Sequence, residues 1–190
     1  GFSKLVAEKV LTDITKSSMD WSVGILRYFN PVGAHESGLL GEDPRGTPGN
    51  LVPFITQVAV GQLDMLRVFG KDYSTFDGTG VRDYIHVMDL AEGHLQALKA
   101  IKKTSGVNIW NLGSGQGYSV LEVVQAFEKI IGRPIPLEFT DRRPGDVAMI
   151  FADPKKARTE LNWSAKRDLT QMVQDAWRWQ SANPQGFQPS

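Results

Sequence analysis

Lys4, Asn30, Arg82, Arg143 and Asp146 are the side chains of this sequence best suited to binding or proton chemistry. An ammonium such as that of Lys4 does chemical work when a phenol lies one helical turn away. A nearby cation favours phenolate and lowers a tyrosine pKa from ~10 toward neutrality. That phenol would stand four positions before Lys4, ahead of Gly1; read alone, Lys4 is a surface lysine. Asn30 follows an apolar run, where open α/β sheets bind ligands at strand carboxyl ends, and it offers both donor and acceptor to phosphate or hydroxyl groups. The plain alternative is that Asn30-Pro31 is only a turn. Asn50-Leu51 precedes a helix start whose main-chain donors can hold a diphosphate, or else Asn50 is an ordinary N-cap. Phe69, Arg82 and Tyr84 fall close together, with a ring to stack on a base and a planar fork for phosphate. Taken separately they are a strand phenylalanine and a surface arginine. In DRRPGD (141–146) Arg143 can pair with phosphate and Asp146 can accept from ribose hydroxyls; the alternative is a surface ion-pair loop of little consequence.

Other chemistries lack their residues. GSGQG (113–117) is no dinucleotide fingerprint, because Tyr118 stands where the last glycine is needed, and it reads as a tight strand-to-helix turn. There is no Walker-type Gly-Lys-Ser/Thr and no G-x-S-x-G elbow. His35, His86 and His94 lack metal-ligand spacing, so no metal is expected. Lysines plus arginines and aspartates plus glutamates number 21 each, which gives no basic surface for nucleic acid. No apolar run approaches the ~18 residues of a membrane span. With no cysteine there are no disulfides, which fits a reducing, cytoplasmic setting.

The positioning elements follow from periodicity. Leu5, Val6, Val10 and Ile14 recur at near-helical spacing over residues 3–14. VGILRYF (23–29) suits a central parallel strand buried on both faces. A long Gly/Pro-rich stretch (33–50) precedes a helix over 51–62, with Pro53 tolerated in its first turn. Strands are expected at 66–69, at VRDYIHV (81–87), at VNIWNLG (107–113) and at IPLEFT (135–140). Asp89-x-x-Glu92 and Ser119-x-x-Glu122 read as capping boxes, the first opening a helix with Leu90, Leu95, Leu98 and Ile101 as its apolar stripe, the second a helix ending at Gly132. Asp153-Pro154 opens a short helix, and Asp168 caps a last one through Trp179, with Trp177 and Trp179 anchoring it. The tail, 182–190, looks loose. Alternating strands and helices make the fold α/β.

Five blocks together resemble the UDP-glucose 4-epimerase family of extended short-chain dehydrogenases/reductases. They are LRYFNPVGAHESGLLGEDPRGTPGNLVPF, VFGKDY with DGTGVRDYIHVMDLA, NLGSGQGYSVLEVV, RRPGDVA and WRWQ, and the resemblance extends over essentially the whole chain. GFSK resembles the end of a Y-x-x-x-K motif, with Lys4 as its catalytic lysine and the tyrosine just before Gly1. The resemblance implies the C-terminal part of an enzyme that interconverts UDP-glucose and UDP-galactose through a 4-keto sugar on a tightly bound NAD. It implies a remnant of the NAD-binding Rossmann domain over 1–32 and a smaller mixed α/β UDP-sugar domain over 33–190, with parts near 75–110 returning to the Rossmann sheet.

By the same resemblance Lys4, Tyr28, Phe29 and Pro31 lie at the cofactor. Asn30, Asn50 and Leu51 hold the diphosphate and nearby groups, Phe69 packs on uracil, and Arg82 and Arg143 clamp the diphosphate. Tyr84 and Val120 line the substrate site, Asp146 meets the uridine ribose, and Ile150 bears on sugar size. A homodimer is implied for the intact enzyme, and a separate N-terminal chain would be a partner if the enzyme were nicked. A non-catalytic UDP-sugar-binding module and another nucleotide-sugar epimerase or dehydratase are the competing readings. The polypeptide on its own is expected to be inactive, and its apolar strand 23–29 to need a covering neighbour.

Overall fold

The computed structural model describes residues 1–18 and 20–187. Helix α1 (Phe2–Ser17) leads into strand β1 (Ser22–Tyr28), which pairs in parallel with β5 (Gly106–Leu112), Ser22 against Gly106 through Tyr28 against Leu112. After the single residue Phe29 the chain enters β2 (Asn30–Val32) and a second sheet. There β4 (Val81–His86) is central: its second half pairs in parallel with β2, and its first half lies between antiparallel β6 (Gly117–Ser119) and parallel β8 (Met149–Ile150). A third sheet joins β3 (Leu66–Phe69) to β7 (Leu137–Thr140), also in parallel. The expected mixed α/β architecture with parallel strands is present. β1 is less buried than expected: Ile25 alone is buried along it, because among the described residues β1 pairs only with β5.

Two cores hold these sheets. Ile55 of α2 (Leu51–Ala59), Val123 and Phe127 of α4 (Val120–Ile131) and Val173 of α6 (Leu169–Ala182) close over Val68 and Tyr84. Ile85, Trp110 and Leu112 pack with Trp163, beneath α3 (Val87–Ile101) and α5 (Lys155–Leu161). Trp179 is buried and Trp177 packs against the first core, so both anchor α6 as expected. No described helix is long and apolar enough to cross a membrane.

Several helix ends follow their sequence signals. Ser119 Oγ accepts from the Glu122 amide at 3.0 Å while Glu122 accepts from the Ser119 amide at 2.7 Å, and Gly132 ends α4 at φ +78°. Asp168 caps α6, which runs past Trp179 to Ala182. The chain beyond is tied down as far as Phe187, whose amide donates to Asp43 at 2.9 Å; residues 188–190 of the expected loose tail lie outside the described residues.

The capping box expected at Asp89 is not formed. α3 starts earlier, capped by His86, whose Nδ1 accepts from the Met88 amide at 3.0 Å. Asp89 is fully buried in the first turn and accepts the amides of Lys166 and Arg167, each at 2.9 Å, and the Arg167 guanidinium. Those donors bind the carboxylate more fully than Glu92 could. The helix over 51–62 also stops early, at Ala59, and GSGQG leads into β6 rather than directly into a helix.

His86 joins a buried pair. Its Nε2 lies 3.1 Å from Asp175, which also accepts from Gln171 and Arg178. Burial lowers the His86 pKa, against the opposing pull of Asp175. Because Nδ1 already accepts a proton from Met88, a second ring proton has no place to go. A histidine whose folded pKa is depressed contributes stability that is full above its unfolded value of about 6.5 and is lost as pH falls below it. Burial pushes the Asp175 carboxyl up, but the hydrogen bonds from Gln171, Arg178 and His86 outweigh it and lower its pKa, so its contribution is lost only in the more acidic carboxylate range. The melting temperature is therefore expected to fall between pH 7.5 and pH 5.5 by about 2–4 °C for each kcal/mol lost. A His86→Gln variant, less stable at pH 7.5, is expected to show a flat profile over that window. An equal slope in the variant would refute the assignment.

Candidate functional site

Strand period places Arg82 and Tyr84 on one face of β4 and Asp83 and Ile85 on the other. The first face borders a cleft of about 230 Å³. β2 adds Asn30, opposite Tyr84 in register. The start of α2 adds Asn50, Leu51 and Phe54, and the start of α4 adds Val120. β3 and the turn beyond it supply Phe69 and Tyr73, and the loop after β7 supplies Arg143 and Asp146. The candidate residues Asn30, Asn50, Leu51, Phe69, Arg82, Tyr84, Val120, Arg143 and Asp146, scattered over more than a hundred positions, thus meet at one cleft.

The cleft suits an anion joined to a flat ring. Arg82 is held by the carbonyl oxygens of Val81 and Val147, at 2.9 and 2.8 Å, and by Asp146 at 3.6 Å. Arg143 is exposed and lies over Phe69, its Cζ 3.8 Å from the ring centroid, so it is not the ion-paired surface arginine of the plain alternative. That role falls to its neighbour Arg142, paired with Asp72. One face of Phe69 is therefore covered by a cation, and the ring lines the cleft. Asn50 precedes α2 in an extended conformation, but its side chain does not cap the helix; its amide nitrogen reaches Glu42 at 3.4 Å. The first α2 amides are left without a side-chain acceptor from Asn50, which is the arrangement that receives phosphate. Burial pushes the Tyr84 phenol up to about 12, with Arg82 opposing, so it stays protonated.

Ile150 is not brought to the cleft. It lies on β8 in register with Arg82 and is half exposed, outside the lining residues. The residues expected at a cofactor lie outside the cleft lining. Glu8 of α1 grips Arg27 of β1 with bonds of 2.8 and 2.5 Å. Lys4 is one turn before Glu8 on the same helix face, which carries it toward the carboxyl end of β1, where Tyr28 and Phe29 stand. Lys4, Tyr28 and Pro31 are exposed. Pro31 borders a second, apolar cavity of about 460 Å³ that shares Asn50 with the cleft. Among the described residues no group of three or more His, Cys, Asp or Glu is placed to hold a metal.

Two residues important to the site were not singled out by sequence reasoning. Asp83 is fully buried behind the cleft wall; it accepts the amides of Ser114 and Gly115 at 2.9 Å and of Ala152 at 3.1 Å, and the Ser114 hydroxyl at 2.7 Å. It shapes the 113–117 loop, and Gly113 is required there because a Cβ would come within 2.5 Å of Ala152 and 2.7 Å of Asp83. The available signal was an acid inside an apolar strand, which must find buried donors. Tyr73 gave no such signal.

Comparison with known proteins places these observations in context. The family profile described as GDP-mannose 4,6 dehydratase matches residues 1–176. A UDP-glucose 4-epimerase of Bacillus subtilis (strain 168) is 58% identical over 187 residues, which is 98% of this chain and 55% of that protein. One of Pasteurella multocida (strain Pm70) is 59% identical over the same shares. The crystal structure of the UDP-glucose 4-epimerase of Bifidobacterium longum, in complex with NAD+ and UDP, superposes with a TM-score of 0.95 at 53% identity, covering 98% of this chain and 55% of that one. The chain thus spans about half the length of the relatives it matches.

Proposed function

Because the chain belongs to the family described as GDP-mannose 4,6 dehydratase, and its high-identity relatives are UDP-glucose 4-epimerases, we propose that it is the C-terminal, UDP-sugar-binding part of an NAD-dependent UDP-glucose 4-epimerase. The observation that carries this reading is the convergence of Arg82, Arg143 and the Phe69 ring on one cleft. Two guanidiniums suit a diphosphate, the ring suits uracil, and Asp146 suits the ribose hydroxyls. Asn30 and the amides at Asn50 and Leu51 complete the anion site, while Tyr84 and Val120 wall it. Anchoring the nucleotide while leaving the hexose loosely held matches a reaction in which the sugar must turn over. Remote binding energy then serves the reacting end.

The residues at the carboxyl end of β1 fit one side of a nicotinamide cofactor. Lys4 presents an exposed ammonium on α1, one turn before the Glu8 that holds Arg27, and suits ribose hydroxyls. When bound, NAD supplies hydride exchange with the sugar C4. Lys4 holds the cofactor ribose and keeps a neighbouring phenol acidic, and Pro31 bounds the cofactor side. On this reading α1 and the β1–β5 pair belong to a Rossmann domain, and the residues from 33 onward belong mainly to the UDP-sugar domain. The reading brings with it a cytoplasmic location and a homodimer, with an N-terminal half supplying the rest of the cofactor site.

Isothermal calorimetry tests the site directly. UDP is expected to bind the chain and uridine to bind far more weakly. Arg143→Ala is expected to weaken UDP by about tenfold to a hundredfold, the worth of a charge-assisted contact. Absence of UDP binding at millimolar concentration would overturn the reading.

A further inference from the structure

Pairing of β3 with β7 ends at Phe69 opposite Thr140. Just beyond, two consecutive arginines land on two different rings. Arg143 lies over Phe69 and lines the cleft. Arg142 lies over Tyr73, 4.2 Å from its centroid, and its Nε donates to Asp72 at 2.8 Å. Its other arm donates 2.5 Å to the Asp72 carbonyl oxygen, while the Gly70 amide donates to Thr140 at 2.8 Å. One guanidinium thus grips both the side chain and the main chain of residue 72 and covers the ring of residue 73.

The grip adds little to folding free energy. Arg142 and Asp72 keep 45% and 71% of their side chains exposed, and exposed pairs of this kind contribute little. Its effect is geometric. Arg143 is exposed, so its direction depends on how firmly the backbone of the 141–146 loop is held.

We propose that Arg142 is a positioning residue for nucleotide binding: it fastens the 141–146 loop to the 70–73 turn and thereby keeps Arg143 stacked on Phe69 and directed at the anionic part of a nucleoside diphosphate. This rests on the UDP reading above and assigns a role to a residue that does not line the cleft. Immobilising one long side chain in advance corresponds to an affinity gain of about threefold to tenfold.

The test uses Arg142→Met, Arg142→Lys, Arg143→Ala and the double variant. In the ligand-free chain, amide hydrogen exchange over 141–146 is expected to quicken in Arg142→Met, with the melting temperature within about 2 °C of the parent. UDP affinity is expected to fall about fivefold in Arg142→Met and to recover in part in Arg142→Lys, which keeps the charge near Asp72. In the Arg143→Ala background Arg142→Met is expected to cost nothing further, because its effect runs through Arg143. Unchanged affinity in Arg142→Met, or an undiminished loss in the Arg143→Ala background, would overturn the proposal. If the parent chain does not bind UDP, the functional reading fails by itself. The exchange measurement then still decides the clasp: faster exchange supports it and unchanged exchange refutes it.

Discussion

A polypeptide of these 190 residues, given NAD and UDP-galactose, is expected to show no turnover above the uncatalysed background. The proposed reaction needs a base for the sugar 4-hydroxyl, and the groups around the cleft cannot serve. The Tyr84 phenol is pushed to about 12 by burial, so almost none of it is phenolate near neutrality. His86 is buried against Asp175, with its other nitrogen engaged by Met88. Lys4 stands on α1 and not on the cleft. A positioned general base is worth about 10²–10⁴ in rate, and groups that act as a unit fail together. A coupled assay for UDP-glucose formation checks this. Turnover that scales with chain concentration and survives repurification would refute it.

Asp83→Ala is expected to destabilise the fold by on the order of 4 kcal/mol, lowering the melting temperature by roughly 10 °C. The carboxylate is fully buried and takes donors from two segments that are distant in sequence, the 113–117 loop and residue 152. Removing it strands the buried Ala152 amide and the part-buried amides of Ser114 and Gly115, and an unsatisfied donor costs most where water cannot reach it. Asp83→Asn should lie between the two, because its amide group must face at least one donor where an oxygen accepted before. Urea or thermal denaturation measures both variants. A loss below about 1 kcal/mol for Asp83→Ala would mean that water replaces the carboxylate, and the anchoring role would be wrong.

Local signals in the sequence were read correctly where the cause is local. The Ser119–Glu122 box, Gly132 and Asp168 depend on neighbouring residues only, and they stand where the spacing puts them. Local spacing does not decide where a distant partner competes. Asp89 has the spacing of a cap but is taken by Lys166 and Arg167, and the cap passes to His86. The continuous apolar run of β1 signals burial on both faces, yet a strand paired on one edge remains half open. Candidate cleft residues were legible because resemblance supplied their long-range meeting. The exposure of Ile150 depends on how β8 joins β4, which no local pattern encodes.

Phe29 alone separates β1 from β2, and its amide is fixed to the Leu112 carbonyl at 3.3 Å. Tyr28, proposed for the cofactor, and Asn30, proposed for the substrate, are thus two residue steps apart along the chain, about 7 Å of reach. The chain has no slack with which to absorb a shift of one sheet against the other. A strand's side chains alternate, so one residue gained or lost at this joint would invert which of β2's side chains meet the cleft while leaving each sheet's own pairing possible. The alignment of hydride acceptor and sugar is, on this view, set by counting residues along a taut segment, and its tolerance to insertion is zero even though both flanking sheets would tolerate considerable substitution.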